Sequence, residues 1–123
     1  MGLNPFDKKE YIETNPIHIE ILVPSTERSK PVSKDRFNSR IRTTVSFLNQ
    51  AFGGTTRYNG IGSFRYRGKN IEEPVGKVES YSKLRDYQKA KARLRRWLRG
   101  KKKSWKQISL AFIFEEDLYF IWL

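Results

Sequence analysis

The sequence contains no cysteine, and its 123 residues include one histidine and 13 acidic residues. The absence of cysteine excludes disulfide bonds and thiolate metal sites, and a single histidine excludes a metal site built from several imidazoles. No apolar run approaches the roughly 18 residues that a membrane-spanning helix needs. The N-terminus also lacks the basic and apolar regions of a secretion signal. We therefore expect a cytoplasmic protein without a membrane span.

Large apolar side chains are nevertheless abundant, with three Trp, six Tyr and eight Phe. This supply is enough to form the hydrophobic core of one domain of ordinary size. Residues 1–15 mix proline, lysine and acidic residues without a sustained period, which predicts a flexible N-terminal arm. Residues 16–123 are predicted to form a single domain.

The first half of this domain shows a strand pattern followed by a helix pattern. Apolar and polar residues alternate over residues 17–23, which predicts a strand with one face in the core. A helix is predicted to begin at Ser33–Asp35 and to end at Gly53-Gly54. The apolar residues at its core face are Phe37, Ile41, Val45, Leu48 and Phe52. Arg36, Arg40 and Arg42 lie off this stripe.

The second half reads as a hairpin, a helix and two strands. Ser63–Arg67 and a return strand within Ile71–Tyr81 flank a predicted turn at Gly68–Asn70. Pro74 and Gly76 interrupt the return strand and predict an edge or bulged strand. A basic helix then begins near Lys83 and is expected to end near Gly100. Strands are predicted within 108–114 and 118–123, with an acidic turn between them.

This order of elements predicts an α+β fold of the ferredoxin-like split βαβ type. Two helices would cover one face of an antiparallel sheet, and an extra C-terminal strand would follow. The other face of the sheet would need a cover. The surplus of aromatic residues suggests either a homodimer or the extra strand for that purpose.

Short motifs between Phe52 and Glu79 resemble small ferredoxin-like domains of unknown function. Gly53-Gly54-Thr55-Thr56 is similar to the Gly-Gly-x-Thr turn that follows the first helix in that group. Gly62-Ser63-Phe64 and Glu72 resemble the aromatic strand and the acidic residue that follow it, and Gln107-Ile108-Ser109 is similar to its entry into a later strand. The resemblance implies the fold and carries no activity.

The clearest functional signal is the stretch from Lys83 to Lys106, which holds 12 Lys or Arg residues and one acidic residue. It carries +11 of the chain's net +12. Like charges spaced four residues apart on a helix repel each other, and phosphate groups would relieve that repulsion. The residues that we predict to contact nucleic acid are Arg65, Arg67, Arg85, Lys89, Arg93, Arg96, Arg99, Lys101, Lys102 and Lys103. The alternatives are an acidic protein partner and a solvated face.

Two further patterns bear on nucleic acid. Phe64 and Tyr66 alternate with Arg65 and Arg67, and exposed aromatic residues on a sheet can stack unpaired bases. The simpler interpretation, that Phe64 and Tyr66 fill the core, is the one we favour. Gly53–Thr56 could cradle a phosphate, but a helix C-terminus is electronegative, so we favour a helix cap.

His18 is expected on the strand face opposite the isoleucines, together with Glu20. The pair could serve in acid–base or metal chemistry, but a structural histidine is the interpretation we favour. A nuclease hypothesis would add Asp35, or Glu72 and Glu73, as magnesium ligands. The sequence therefore assigns no catalytic residue, cofactor or metal ligand.

The prediction from sequence is thus a non-catalytic nucleic-acid-binding protein, with RNA favoured slightly over DNA because of the aromatic surplus. The first alternative is an interaction module, such as an inhibitor or accessory subunit, that docks on an acidic partner. The second is a small metal-dependent nuclease that uses His18 and Glu20. A role at a membrane surface ranks fourth, because the apolar stripe of the basic helix already has a core to fill.

Overall fold

The computed structural model describes residues 14–28 and 30–122, so nearly all of the predicted N-terminal arm (1–15) lies outside the described residues. In chain order the elements are β1 (Ile17–Pro24), β2 (Thr26–Glu27), β3 (Lys30–Pro31), α1 (Lys34–Phe52), β4 (Thr56–Tyr66), β5 (Lys69–Ser82), α2 (Leu84–Ser104), β6 (Leu110–Phe114) and β7 (Asp117–Ile121). Within the described ranges, no helix is long and apolar enough to cross a membrane.

Five strands form one antiparallel sheet in the order β4-β5-β1-β6-β7. Both helices pack on the same face of this sheet, and β2 and β3 form a small separate hairpin. This arrangement confirms the predicted ferredoxin-like split βαβ fold. It also confirms the extra C-terminal strand, because β7 pairs with β6 at the edge of the sheet.

The core forms where the alternating residues of β1 meet the apolar stripes of the two helices. Ile19, Ile21 and Val23 are at most 1% exposed, and they pack in one cluster with Leu48 of α1 and Leu98 of α2. Burial of this apolar surface supplies the main driving force for folding. The strand predicted over residues 17–23 is therefore confirmed.

Both predicted ends of α1 are confirmed by their capping interactions. The Ser33 hydroxyl accepts a hydrogen bond from the backbone N–H of Arg36, which satisfies one free donor of the first turn. Gly53 has a φ of 91° and donates its N–H to the Asn49 carbonyl. Because this left-handed conformation favours glycine, the chain leaves the helix at that position.

Two other predictions are wrong, one on the end of α2 and one on the place of β5 in the sheet. Helix α2 passes through Gly100 and continues to Ser104, so this glycine does not end it. β5 was expected at an edge or with a bulge, but it lies between β4 and β1 with continuous pairing. Pro74 is tolerated because the pairing with β1 ends at Val75, one residue later in β5, so no partner on that side requires its N–H.

The β4–β5 hairpin extends beyond the end of β1 as a two-stranded ribbon. It turns at Arg67-Gly68, where φ is 49° and 77° and suits the tight turns that join antiparallel strands. Phe64 is 46% exposed and Tyr66 is 53% exposed. The expectation that these two residues fill the core is therefore wrong, because they lie past β1 and the helices that cover it.

Arg40 is buried, although the helical pattern placed it off the core stripe of α1. Its guanidinium donates hydrogen bonds to the carbonyls of Pro24 (2.8 Å) and Thr26 (2.9 Å) and reaches that of Trp105 at 3.5 Å. It also lies 5.5 Å from the centre of the Trp105 ring. One side chain therefore joins α1 to the end of β1, to β2 and to the end of α2.

Candidate functional site

The uncovered face of the sheet carries a cluster of polar side chains on β1 and β5. His18 and Glu20 point away from the buried isoleucines, as the alternation predicted. The register places Glu20 directly opposite Glu79 and His18 directly opposite Tyr81. Because facing residues of antiparallel strands point to the same side, these four side chains meet on the open face.

A hydrogen-bond network holds the Glu79 carboxylate in place. One oxygen is 3.0 Å from His18 Nε2, and the other accepts a hydrogen bond from the Tyr58 hydroxyl at 3.0 Å. His18 Nδ1 lies 3.3 Å from the Glu115 carbonyl oxygen, and the imidazole stacks on the Tyr81 ring with centroids 4.6 Å apart. Both ring nitrogens thus face oxygens that accept hydrogen bonds, an arrangement that a doubly protonated imidazole satisfies.

The electrostatics of the pair agree with this geometry. Burial opposes the charge on His18, but its hydrogen bonds to Glu79 and to the Glu115 carbonyl outweigh burial and raise the pKa of the imidazole. Burial would likewise favour a neutral Glu79, but the hydrogen bonds from His18 and Tyr58 hold the pKa of this carboxyl below its usual range. The two shifts and the geometry thus favour the charged forms of both side chains.

The thermal stability of the protein should depend on the His18–Glu79 pair in a defined pH window. His18 has a raised pKa in the fold, so its contribution is complete below its ordinary value of 6.5 and disappears as the pH rises through the folded value. Glu79 has a lowered pKa, so its contribution is complete above 4.5 and disappears as the pH falls.

We expect the difference in Tm between the wild type and His18→Gln to be largest between pH 4.5 and pH 6.5, the ordinary pKa values of the two groups. The difference should shrink above neutral pH, and melting curves from pH 4 to 9 measure it. The Lys69→Gln variant, which changes a lysine on the exposed ribbon, serves as the control. A difference that stays constant across this range would contradict the assignment of a charged His18.

A second ion pair borders the cluster. Lys77 Nζ lies 3.4 Å from a carboxylate oxygen of Glu20. Its positive charge offsets the repulsion between the carboxylates of Glu20 and Glu79, which face each other across the two strands. One ligand atom from each of His18, Glu20 and Glu79 lies within 4.8 Å of the others, so the three could hold a divalent cation. A cation there would have to displace the proton that His18 shares with Glu79.

An open cleft of about 480 Å³ adjoins the cluster, and both Glu79 and Tyr81 line it. Its other walls include the turn at residues 53–56 and Asp86 in the first turn of α2. The favoured interpretation of that turn as a helix cap is confirmed, and the same glycines also shape the cleft. The cleft is large enough for a ligand of nucleoside size.

The cations that were predicted to bind phosphate lie elsewhere. Arg65 and Arg67 are on the exposed hairpin, and the remaining eight lie along α2, on the opposite side of the sheet from the cluster. Some of them have contacts within the fold: Arg93 lies 5.9 Å from the centre of the Phe47 ring, and Lys101 lies 5.6 Å from that of Trp97. The strongest charge signal in the sequence therefore does not mark the cluster.

Sequence reasoning missed Glu79, which is the centre of the network. Its only signal was its place in the alternation of β5, in phase with Lys77 and Tyr81. That signal becomes informative only when the register with β1 is known. Asp35, which the nuclease hypothesis added, lies in the first turn of α1, and Glu72 and Glu73 lie on the ribbon beyond β1.

Comparison with known proteins gives two structural matches. No family model matches the chain, and no curated protein matches it. A structure of phage SAM lyase in complex with S-methyl-5'-thioadenosine has a TM-score of 0.63 at 12% identity, covering 95% of this chain and 97% of that chain. The apo state of phage SAM lyase has a TM-score of 0.64 at 13% identity, with 93% and 94% covered. The matched chains are those of an enzyme.

This comparison corrects the functional prediction. At such low identity the likeness establishes a shared fold along almost the whole of both chains. The prediction of a non-catalytic protein that binds RNA or DNA is wrong, because the two structures that match this chain are those of phage SAM lyase, an enzyme. The nuclease alternative and the interaction module as the chain's main function are corrected with it. The resemblance to ferredoxin-like domains of unknown function stays a prediction.

Proposed function

We propose that this chain is a lyase that cleaves S-adenosylmethionine and releases S-methyl-5'-thioadenosine. The observation that carries the proposal is the Glu79 carboxylate, fixed by His18 and Tyr58 at the wall of a nucleoside-sized cleft. The substrate is a sulfonium cation, which a carboxylate and the faces of aromatic rings attract. The matched fold, whose chains act on the same substrate class, supports the assignment.

The cleft and the cluster suit different parts of this substrate. The adenosine group fits the cleft, where Asp86 offers a carboxylate to ribose hydroxyl groups. The sulfonium then lies beside Glu79 and the ring of Tyr81, which line both the cleft and the cluster. The methionine group extends over the open sheet face toward Lys77, whose ammonium group attracts its carboxylate.

The reaction breaks the bond between the sulfur and the γ-carbon of the methionine group. The sulfur keeps the bonding electron pair and leaves as a neutral thioether. In one route, the substrate's own carboxylate attacks the γ-carbon as the sulfur leaves, which closes a lactone without proton transfer. In the other route, a base removes a β-proton and the fragment becomes an alkene.

The geometry favours lactone closure. Glu79 accepts hydrogen bonds on both oxygens, and its pKa is held low, so it is a weak base. Its role is to hold the sulfonium while the substrate's carboxylate aligns behind the γ-carbon. Positioning of this kind can supply several kcal/mol of the barrier reduction, roughly 7–11 in the best intramolecular cases.

The experiment for the proposal is turnover of S-adenosylmethionine by the purified chain. We expect S-methyl-5'-thioadenosine to accumulate with time and with enzyme concentration, as measured by liquid chromatography and mass spectrometry. The His18→Gln variant should be slower and Lys69→Gln unchanged. If the wild type produces no more than spontaneous decay does, the proposal is wrong.

The C4 product distinguishes the two routes. Proton NMR of the reaction should show homoserine lactone, or homoserine after its hydrolysis, with both β-protons retained. Vinyl proton signals would instead show that a base removes a β-proton and would contradict the role given to Glu79. The predicted cytoplasmic location belongs to this proposal, because S-adenosylmethionine is a metabolite of the cell interior.

A further inference from the structure

The extra strand β7 creates an apolar trough on the helix-covered side of the sheet. Packed helices lie about 8–10 Å apart and strands about 4.8 Å apart, so two helices cover about four strands. The fifth strand, β7, extends past α2. The resulting trough of about 460 Å³ is lined by apolar residues, among them Leu94, Leu98, Phe112 and Ile121.

Three cations of α2 border this trough. Lys91, Arg95 and Arg99 are exposed and are spaced four residues apart, which puts them about 6 Å from one another along one side of the helix. None of the three has an ion pair with a carboxylate among residues 14–28 and 30–122. The trough therefore joins an apolar floor to a row of positive charge about 12 Å long that has no ion-pair partner in the described part of the chain.

Aromatic side chains form the opposite border. Trp122 lines the trough and is 61% exposed. Tyr119 stacks on Phe112 with centroids 5.2 Å apart and is 46% exposed. Exposed aromatic residues beside an apolar depression are the usual anchors of protein interfaces.

We propose that the trough is a docking site for an acidic amphipathic helix of another protein. A helix of about 12 residues matches the segment from Tyr87 to Arg99 in length. Carboxylates spaced four residues apart on that helix would face the three cations, while its apolar stripe would fill the trough. It would occupy the place of a third helix over β7. The site is additional to the proposed lyase activity, because the Glu79 cluster lies on the other face of the sheet.

A helix fits these observations better than a small molecule. A single anionic group would use one or two of the three cations. The trough is also open along its side, whereas small-molecule sites enclose most of the ligand surface. A repeated charge beside a continuous apolar stripe is a property of helices.

A labelled synthetic peptide tests the proposal. The probe is a 14-residue helical peptide with leucines along one stripe and glutamates spaced four residues apart beside it, and fluorescence anisotropy with the full chain measures its Kd. We expect saturable binding that weakens at least ~tenfold in the Arg95→Glu/Arg99→Glu variant. A peptide of the same composition in scrambled order should bind at least ~tenfold more weakly.

The matched control changes the same amount of charge on another side of α2. Lys89 and Arg96 border a different depression, next to α1, so Lys89→Glu/Arg96→Glu should retain peptide binding within a factor of two to three. Equal losses in the two variants would show general attraction to a polyanion and overturn the proposal. The proposal is also overturned if the peptide does not bind, or if a 14-nucleotide single strand displaces it from the trough. It is overturned likewise if the wild type self-associates and the Arg95→Glu/Arg99→Glu variant does not.

Discussion

Replacement of Glu79 by Gln should lower kcat/KM for the release of S-methyl-5'-thioadenosine at least ~100-fold. The amide keeps the size of the side chain but removes the negative charge opposite the substrate's sulfonium. It also replaces the anion that faces His18 Nε2 by a neutral amide, which weakens the hydrogen bond that orients the network. A continuous assay of the nucleoside product, or chromatography of timed samples, measures the effect.

Glu72→Gln is the matched control for this variant. Glu72 lies on the same strand, β5, but is exposed on the ribbon beyond β1. Its variant should retain the wild-type rate within a factor of two. Circular dichroism should show that both variants keep the fold. Full activity in Glu79→Gln would mean that the reaction takes place elsewhere in the molecule.

Replacement of Arg40 by Met should lower the free energy of unfolding by ~2–4 kcal/mol. Methionine fills a similar volume, so the loss comes from the hydrogen bonds that the Arg40 guanidinium donates. The Gln107 side chain still donates to the carbonyls of Thr26 and Trp105, whereas the Pro24 carbonyl loses the guanidinium as a donor. An unpaired buried carbonyl carries the full penalty of its desolvation. In a chain of this length the change corresponds to a fall in Tm of roughly 10 °C.

The control for this prediction is Arg42→Met on the same helix. Arg42 is exposed, so its replacement should change the free energy of unfolding by less than about 0.5 kcal/mol. Urea unfolding of both variants gives the comparison. Equal stability of Arg40→Met and the wild type would show that water replaces the guanidinium without penalty.

The fold could be predicted because its signals are local. The alternation from Ile17 to Val23, the cap at Ser33 and the left-handed position at Gly53 each depend on a few adjacent residues. Their order along the chain leaves few ways to cover a sheet with two helices. The errors arose where distant parts of the chain decide. Whether Pro74 lies at an edge depends on where β1 ends, and whether Phe64 is buried depends on how far the helices reach.

The candidate site could not be predicted, because it depends on register. Glu79 is 61 residues from His18 in the chain, and only the pairing of β1 with β5 brings their side chains to 3.0 Å. The basic stretch of α2 was the strongest functional signal in the sequence, because an excess of charge is visible in the composition. The proximity of two carboxylates on separate strands is not visible there. The charge pattern predicted a cationic surface on α2, and this surface lies on the other side of the sheet from the Glu79 cluster.

The sequence by itself determined the elements, their order and the cationic surface of α2. Tertiary structure decided that Arg40 is buried, that Glu79 has two hydrogen-bond donors and that β7 extends past the helices. The physical reason is the range of the interactions involved. Periodicity and capping act within a few residues, while the fixed carboxylate requires three strands, β1, β4 and β5, to contribute one side chain each.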